Sequence, residues 1–491
     1  MTEKLAAKMT GLIKACLIIF AGLMAGGALI TTKQVILGAA WTSPKRSFFV
    51  FVLVAILIIA GCWLLAVLPD QKTTNYLVLG VLLVAFALLM IAWIYLTPAK
   101  QTSDYHTFWK YGQQAVAGGP IYYHDNNYFA KWAYQTGFLT YVMAVIKLFG
   151  ANIRSIQLLN VFWQVLSLLL TYVLAQKLFH QVAISRISLF LLGINWEWLA
   201  LNNRVTNQYI ATVFFLLTWI LLLDKKTSSW ILAGVTLAIG NMLRPLSLVF
   251  IAAIIVFALI YRFFNTTNNW RQGCLRLGGL LLVYLVITLS CGALIKQSGL
   301  NEYGLSNRDT EWKFVIGLNY PSTGSYSQPL VKEFNLKDTR QTMLKQEKQV
   351  TQRHIKYLNQ HHLWLKLFIK KFFIVWSNPS NTLNFSLFAK NHSLKTVNQV
   401  NLWAYAITVV EILLTLLGAL VLAFKKYHSG FNLLLLTLFA YAAAQVIIEV
   451  QGRYRIEFVP LLVIIAAVGF TQLVAKKKTK TNNFEVVGDT L

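Results

Sequence analysis

Acidic residues are scarce in this chain: Asp and Glu together number 17 against 44 Lys and Arg, and charged residues of both signs fill only 12% of 491 positions. A soluble domain carries about 25% charge, so that class is excluded. Cysteine is scarce too. Cys16, Cys62, Cys274 and Cys291 lie in or beside apolar runs without metal-ligand spacing, and they read as small buried apolar residues. No internal repeat or low-complexity segment stands out. The first apolar run lacks a small-residue cleavage site followed by a polar segment, so no cleavable signal peptide is expected. The net charge of +27 superficially suggests nucleic acid. Its distribution argues otherwise, because the basic residues sit at the edges of apolar runs and in one long loop. Anionic lipid headgroups and phosphate-bearing substrates account for them better, and no nucleic-acid partner is expected.

What the chain has in abundance is apolar length, with a hydrophobic fraction of 57%. Crossing the hydrocarbon core takes roughly 20 apolar residues. Candidate spans are Gly11–Ile30, Ser47–Leu68, Tyr76–Leu96, Ser155–Phe179, Ala183–Leu201, Val205–Leu223, Ser228–Gly240 (the shortest), Leu246–Phe264, Leu275–Ile295, Trp403–Phe424, Phe431–Val450 and Tyr454–Ala475. The expected fold is an all-α polytopic membrane protein of about 12 transmembrane helices.

The positive-inside rule places Lys476–Lys480, Lys425-Lys426, the Arg262–Arg276 group and Lys225-Lys226 in the cytoplasm. Both termini are then inside, in a plasma membrane of bacterial type. Segments 97–133, 202–204 and 296–402 are outside, with Lys33, Lys45 and Arg46 the awkward exceptions. Tyr134–Gly150 and Leu363–Trp376 carry lysines and are expected to lie in the outer interface rather than cross. The organisation expected is a two-span hairpin (1–75), a membrane core (76–296) with a first outer loop (97–154), a long outer loop (297–402), a three-span bundle (403–475) and a polar cytoplasmic tail (476–491).

The polar residues that interrupt this pattern cluster at outer helix ends. Asp104 follows the third span and, apart from Asp125, is the only acid of its loop. An acid there can accept a proton from a hydroxyl, or it can cap the next helix; position alone favours the cap. The aromatic stretches Ile121-Tyr122-Tyr123 and Tyr134-Gln135-Thr136-Gly137-Phe138 suit an interface. Arg154 opens a span, where an arginine can also simply snorkel. Asn202-Asn203-Arg204-Val205-Thr206-Asn207-Gln208 supplies amides where Mg²⁺ or Mn²⁺ would want carboxylates, so no metal is expected. Arg244-Pro245 breaks two apolar runs, and charge inside a membrane defaults to a functional reading. Glu449, Arg453 and Glu457 have i, i+4 spacing, which allows a salt-bridge ladder if the helix is continuous through Gly452. Arg453 with Arg455 also suits a phosphate clamp. Glu197 and Glu411 lie within spans without an evident role. Asn319 and Tyr326 belong to a turn-rich stretch, Phe314–Ser327, that reads equally as a sugar-binding or an ordered surface loop. Sequons at Asn265, Asn384 and Asn391 matter only in a eukaryotic secretory host.

A long span ending in an acid, an outer loop with interface helices, Phe149-Gly150-Ala151-Asn152-Ile153-Arg154, a Gly-Leu-Asn…Gly stretch and Arg453-Tyr454-Arg455 before Pro460 together resemble the GT-C superfamily of glycosyltransferases. The resemblance covers roughly residues 76–475 and is strongest to the protein O-mannosyltransferase and lipid A aminoarabinose transferase branch. It implies a GT-C-like bundle and a polyprenyl-phosphate sugar donor, with no cofactor. The acceptor would be an envelope hydroxyl on a glycan, teichoic acid, glycolipid or protein. Asp104 is the position matching the catalytic base. Arg154, Arg244, Arg453 and Arg455 would meet the donor phosphate. Tyr105, Tyr134, Gln135, Asn203, Asn207, Asn319 and Tyr326 would contact sugar or acceptor. The competing classes are a lipid-linked saccharide flippase, for which inverted repeats and mid-membrane charge would be expected, and a multi-span polysaccharide polymerase or ligase. If the topology holds, a cysteine placed at position 104 reacts with a membrane-impermeant maleimide in intact cells; labelling only after permeabilisation would reverse the assignment.

Overall fold

The computed structural model describes residues 2–121, 128–263, 270–335 and 337–475. Tyr122, Tyr123, Asp125, the Asn265 sequon and the tail 476–491 lie outside the described residues. Three long helices come first, α1 (Thr2–Leu37), α2 (Pro44–Val67) and α3 (Lys72–Leu96). The first loop holds α4 (Ser103–Val116), α5 (Tyr128–Lys131) and α6 (Thr136–Phe149). A helical core follows: α7 (Ile153–Phe179), α8 (Val182–Ile194), α9 (Trp196–Leu199), α10 (Gln208–Leu222), α11 (Thr227–Leu243), α12 (Ser247–Phe257) and α13 (Trp270–Gln297). The long loop carries α14 (Trp312–Gly317), α15 (Gln328–Val331), α16 (Arg340–Gln360), α17 (Trp364–Trp376) and α18 (Thr382–Phe385). Then come α19 (Leu394–Phe424), α20 (Phe431–Ile447), a 3₁₀ segment Gly452–Phe458 and α21 (Val459–Ala475). No strand occurs among the described residues.

Among the described residues seven helices are long and apolar enough to cross a membrane, and the bent pair Val182–Ile194 with Trp196–Asn203, taken as one span, makes an eighth. Four shorter apolar helices, α10, α11, Ser247–Tyr261 and α20, occupy the remaining expected spans. The protein is thus an all-α polytopic membrane protein. At 1.5 Å per residue, α6 and α17 reach only about 20 Å, short of a hydrocarbon core of about 30 Å. Both are amphipathic: α6 buries Phe138, Leu139, Val142 and Ile146, and it packs on α4.

Helices in lipid gain little from the hydrophobic effect between them, so close backbone approach does the work. The tightest crossing joins α19 and α21: a Cβ on Gly418 would lie 1.9 Å from the Ile465 carbonyl oxygen, and one on Gly469 would meet the Gly418 backbone. The N-terminal hairpin is not set apart. α1 and α2 pack on α19, and α2 also on α8, within one continuous apolar core.

A 61° bend separates α8 from the segment Trp196–Asn203, whose end leaves backbone carbonyls that the bilayer cannot satisfy. α7 supplies the partners. Gln157, Asn160 and Gln164, on one face of that helix, donate to the carbonyls of Asn203, of Asn202 and Arg204, and of Leu199, at 2.7–3.2 Å. Trp93 Nε1 donates to Ala200 O at 3.0 Å.

The two acids without a role in the sequence acquire one here. Glu197 is buried and pairs with the Arg455 guanidinium, while also accepting from Ser380 N and Thr408 Oγ1. Glu411 accepts from Asn195 Nδ2 at the bend. Removing one member of a buried pair costs about 3–5 kcal/mol, whereas replacing both with apolar residues can be near neutral. Glu197→Ala should therefore lower the melting temperature of the detergent-solubilised protein sharply, and adding Arg455→Met should recover much of the loss. An unchanged melting temperature in Glu197→Ala would show that the pair carries no stability.

Candidate functional site

The site begins with the connector from α3 to α4, which is stapled to the turn after α9. Gln101 Nε2 donates to Asn203 O at 3.0 Å, and Gln101 Oε1 accepts from Val205 N at 3.1 Å. Arg204 is wholly buried. Its Nε donates to Phe385 O at 2.7 Å, and Nη1 donates to Lys100 O. Asn203 Nδ2 donates to Ser386 O at 2.8 Å. Ser103 then takes φ +53°, the left-handed region uncommon for a side chain other than glycine, and turns the chain into α4.

Asp104 is not the cap of that helix. Thr102 occupies the N-cap position, and Asp104 lies within the first turn, where the helix dipole favours a carboxylate. Its side chain is 43% exposed. Arg453 Nη2 stands 3.9 Å from Asp104 Oδ2, and Nη1 donates to the hydroxyl of buried Tyr105. The Arg453 guanidinium also faces the rings of Phe385 and Tyr105 at 5.0 and 5.5 Å, with Nε donating to Gln451 Oε1 at 2.8 Å. Rings and hydrogen bonds fix the cation in place without neutralising it.

The ladder considered for Glu449, Arg453 and Glu457 does not form, because α20 ends at Ile447 and the chain resumes as a 3₁₀ segment. Gly452 is pressed against Ser380, a Cβ there falling 2.7 Å from Ser380 Cα. Each acid turns to another cation. Glu449 pairs with Lys313 at 2.5 Å, and Glu457 stands 2.6 Å from Arg244 Nε. The second approach is electrostatic rather than a hydrogen bond, since the Nε–H is not aimed at the oxygen. Gln208 Nε2 donates to Arg453 O at 3.0 Å and Glu457 Oε1 at 3.3 Å, tying α10 to this segment.

Three phenols join the cluster. Arg244 faces the Tyr454 ring at 5.4 Å, and Lys313 faces Trp132 at 5.0 Å and Tyr454 at 5.9 Å. Burial pushes the Tyr134 phenol up, against the pull of nearby Lys313 and Arg244. Burial likewise raises Tyr128, with the Asp104 charge adding to it. Both remain neutral hydroxyls, able to donate and accept. Burial alone would also raise Glu449, but Lys313 outweighs it and holds the carboxyl below the usual range.

Of the residues expected at the site, the structure gathers Asp104, Tyr105, Tyr134, Arg244 and Arg453, with Gln135 donating to Tyr134 OH at 3.3 Å. The others are occupied elsewhere. Arg455 points into the core, donating to Glu197 and to the carbonyls of Val375 and Asn378, so it is no phosphate ligand in this geometry. Arg154 donates to Ile94 O and Gln157 Oε1, both at 2.9 Å, and stacks on Tyr95, clamping the end of α3. Asn203 is buried scaffold, and Asn207 donates to Leu243 O at 2.7 Å, closing the end of α11 beside Arg244. Asn319 bonds within its own turn to Ser322, and Tyr326 is exposed with its hydroxyl on Gln328. The Gly-Leu-Asn…Gly stretch is nonetheless structural at this end. Gly317 lies against the backbone of Ile447 and Ile448, and Val450 N donates to Gly324 O at 2.9 Å. Lys313 and Tyr128 were missed in the sequence; Lys313 is one lysine of many in a long loop, and only its buried partner Glu449 sets it apart. Among the described residues no group of three or more His, Cys, Asp or Glu gathers as metal ligands.

The apolar helical bundle thus closes at one end over an acid, a fixed arginine and neutral phenols. Residues 138–290 match the family model described as dolichyl-phosphate-mannose-protein mannosyltransferase, which bears out the resemblance to the GT-C glycosyltransferases. The match takes in Arg154, Asn207 and Arg244, while Asp104, Lys313 and Arg453 lie outside it. Among solved structures, the chain is similar to ArnT from Cupriavidus metallidurans bound to undecaprenyl phosphate, with 12% identity over 80% of this chain and 77% of that one and a TM-score of 0.36. It is also similar to the Archaeoglobus fulgidus oligosaccharyltransferase in the apo form, with 12% identity over 81% of this chain and 56% of that one and a TM-score of 0.32. It thus spans little more than half of the archaeal enzyme's length, and likenesses this loose carry no argument about mechanism. None of the curated proteins matches the chain.

The depressed Glu449 carboxyl makes the docking of the long loop pH-dependent. Its stabilisation is present above the ordinary glutamate value of about 4.3 and is lost as pH falls through the lower, folded value. Lys313→Met removes the cause of the depression, so the acid midpoint for proteolytic opening of residues 300–335 should move to higher pH. An unmoved midpoint would show that Lys313 does not hold the loop.

Proposed function

We propose that this protein moves a sugar from a polyprenyl-phosphate donor to an acceptor hydroxyl at the extracytoplasmic face, in one displacement with inversion. The observation that carries the reading is the Asp104–Arg453 pair. A gap of 3.9 Å is longer than a hydrogen bond of 2.7–3.2 Å, so the carboxylate is oriented by the cation yet free to take a proton. The acceptor oxygen forms the new bond to the anomeric carbon, and its proton passes to Asp104. The bond from that carbon to the phosphate oxygen breaks, and the phosphate leaves with the electron pair. Arg453 is the cation best placed to meet the developing charge, with Arg244 and Lys313 adding field from behind their own carboxylates.

The neutral phenols of Tyr128 and Tyr134 suit sugar hydroxyls. The amides at 202, 203 and 207 supply no carboxylate for a divalent ion, consistent with a reaction that needs none. The family match over residues 138–290 supports a glycosyltransferase.

Asp104→Asn keeps the side chain's shape and removes its basicity. In membranes supplied with a labelled polyprenyl-phosphate sugar, this variant should lose on the order of 10²–10⁴-fold in transfer rate at normal expression. Transfer at the wild-type rate would sink the mechanism.

A further inference from the structure

Beyond the site itself, α16 has two unlike faces. Met343, Glu347 and Leu358 are buried, and Met343 joins Trp312, Val315 and Ile316 of α14 in a small apolar core. The opposite face presents Gln341, Lys345, Lys348, Gln349, Gln352, Lys356 and Asn359, all exposed. Their spacings of 3, 4 and 7 place them in one stripe. From Lys345 to Lys356 the stripe runs about 16 Å. No acid interrupts it. Glu347 is turned inward, Glu333 is taken by Arg353 and Asp338 by Asn335 and Gln346, and no carboxylate pairs with Lys345, Lys348 or Lys356 among the described residues.

We infer that this stripe is a docking surface for a polyanionic, hydroxyl-bearing polymer with repeating phosphates, and that it holds the acceptor chain beside the site. The identity of the polymer as acceptor rests on the proposed transferase reading; the binding surface itself does not. Length selects a polymer, since several lysines spread over about 16 Å exceed what one phosphate can span. Alternating amides suit hydroxyls between the charges. A membrane-lying helix exposes large apolar side chains beside its lysines, as α17 does with Leu365 and Ile369, whereas the α16 stripe has Gln and Asn between its lysines and its apolar neighbours Leu344 and Ile355 are partly buried. Placement fits as well: α16 packs directly on α14, whose Lys313 belongs to the candidate site, and the stripe is the outward face of that same helix, so a polymer held there reaches the site around α16.

The test uses the full chain in phosphatidylcholine nanodiscs, titrated with fluorescent poly(glycerol phosphate) oligomers and read by anisotropy at low and high salt. The combined Lys345→Gln, Lys348→Gln, Lys356→Gln variant should bind about tenfold more weakly or worse and lose most of its salt dependence. Lys45→Gln with Arg46→Gln, in the first turn of α2, should bind normally. Equal binding by the triple variant and wild type would overturn the inference, as would equally tight binding of neutral dextran. So would a triple-variant defect confined to phosphatidylglycerol vesicles, which would assign the stripe to the membrane instead. Asp104→Asn should bind the polymer as wild type does, so a failed transfer mechanism and a failed docking surface give different results.

Discussion

Backbone groups that leave a helix inside a bilayer must find partners in the protein, and this requirement in the segment between α8 and α10 organises the end of the molecule that bears the site. Past the 61° bend the second segment ends at Asn203, and the peptide groups of residues 199–205 need partners. Amides on one face of α7 answer them from one side, and Gln101 answers from the other. Because Gln101 and the Lys100 carbonyl are spent on this turn, the connector has no slack, and Asp104 starts α4 from a fixed point. The acid is placed by hydrogen bonds that have nothing to do with acidity.

Scarcity of acid gives the charges their order. Glu197 holds Arg455 in the core, Glu457 stands against Arg244, and Glu449 holds Lys313. Each pairing brings a distant segment together: the bend with the last span, the α11–α12 turn with the 3₁₀ segment, the long loop with the end of α20. Arg453 has no such tight carboxylate. It is held by a phenol, an amide and ring faces, and its nearest acid is the looser Asp104. A cation fixed yet incompletely neutralised is suited to a second anion, and a carboxylate oriented but not locked is suited to a proton.

The spans were readable in the sequence because each is an apolar run of membrane length, and the gathering of polar residues at one end followed from charge counting. Asp104, Tyr105, Tyr134, Arg244 and Arg453 were singled out by the GT-C resemblance laid over that end. The failures have physical reasons. In a 3₁₀ segment, with three residues per turn, side chains two apart stand about 120° apart, so Arg453 and Arg455 turn to different surroundings although they read as one clamp. The i, i+4 ladder presumed an α-helix that Gly452, crowded by Ser380, does not continue. Asn203 and Asn207 look like sugar ligands because amides serve both sugars and backbone, and only the local demand for hydrogen bonds tells which. Lys313 has no local signature, its partner lying far along the chain in a segment that pairs with it only after folding.

The central claim is that Asp104 and Arg453 act as one unit on one substrate. A double-mutant cycle on transfer from a polyprenyl-phosphate sugar tests it most directly, using Asp104→Asn, Arg453→Gln and the two combined, each at matched expression. Groups that act together are strongly non-additive, so the combined variant should be scarcely slower than the worse single one. Losses that multiply, with each substitution acting independently of the other, would contradict it.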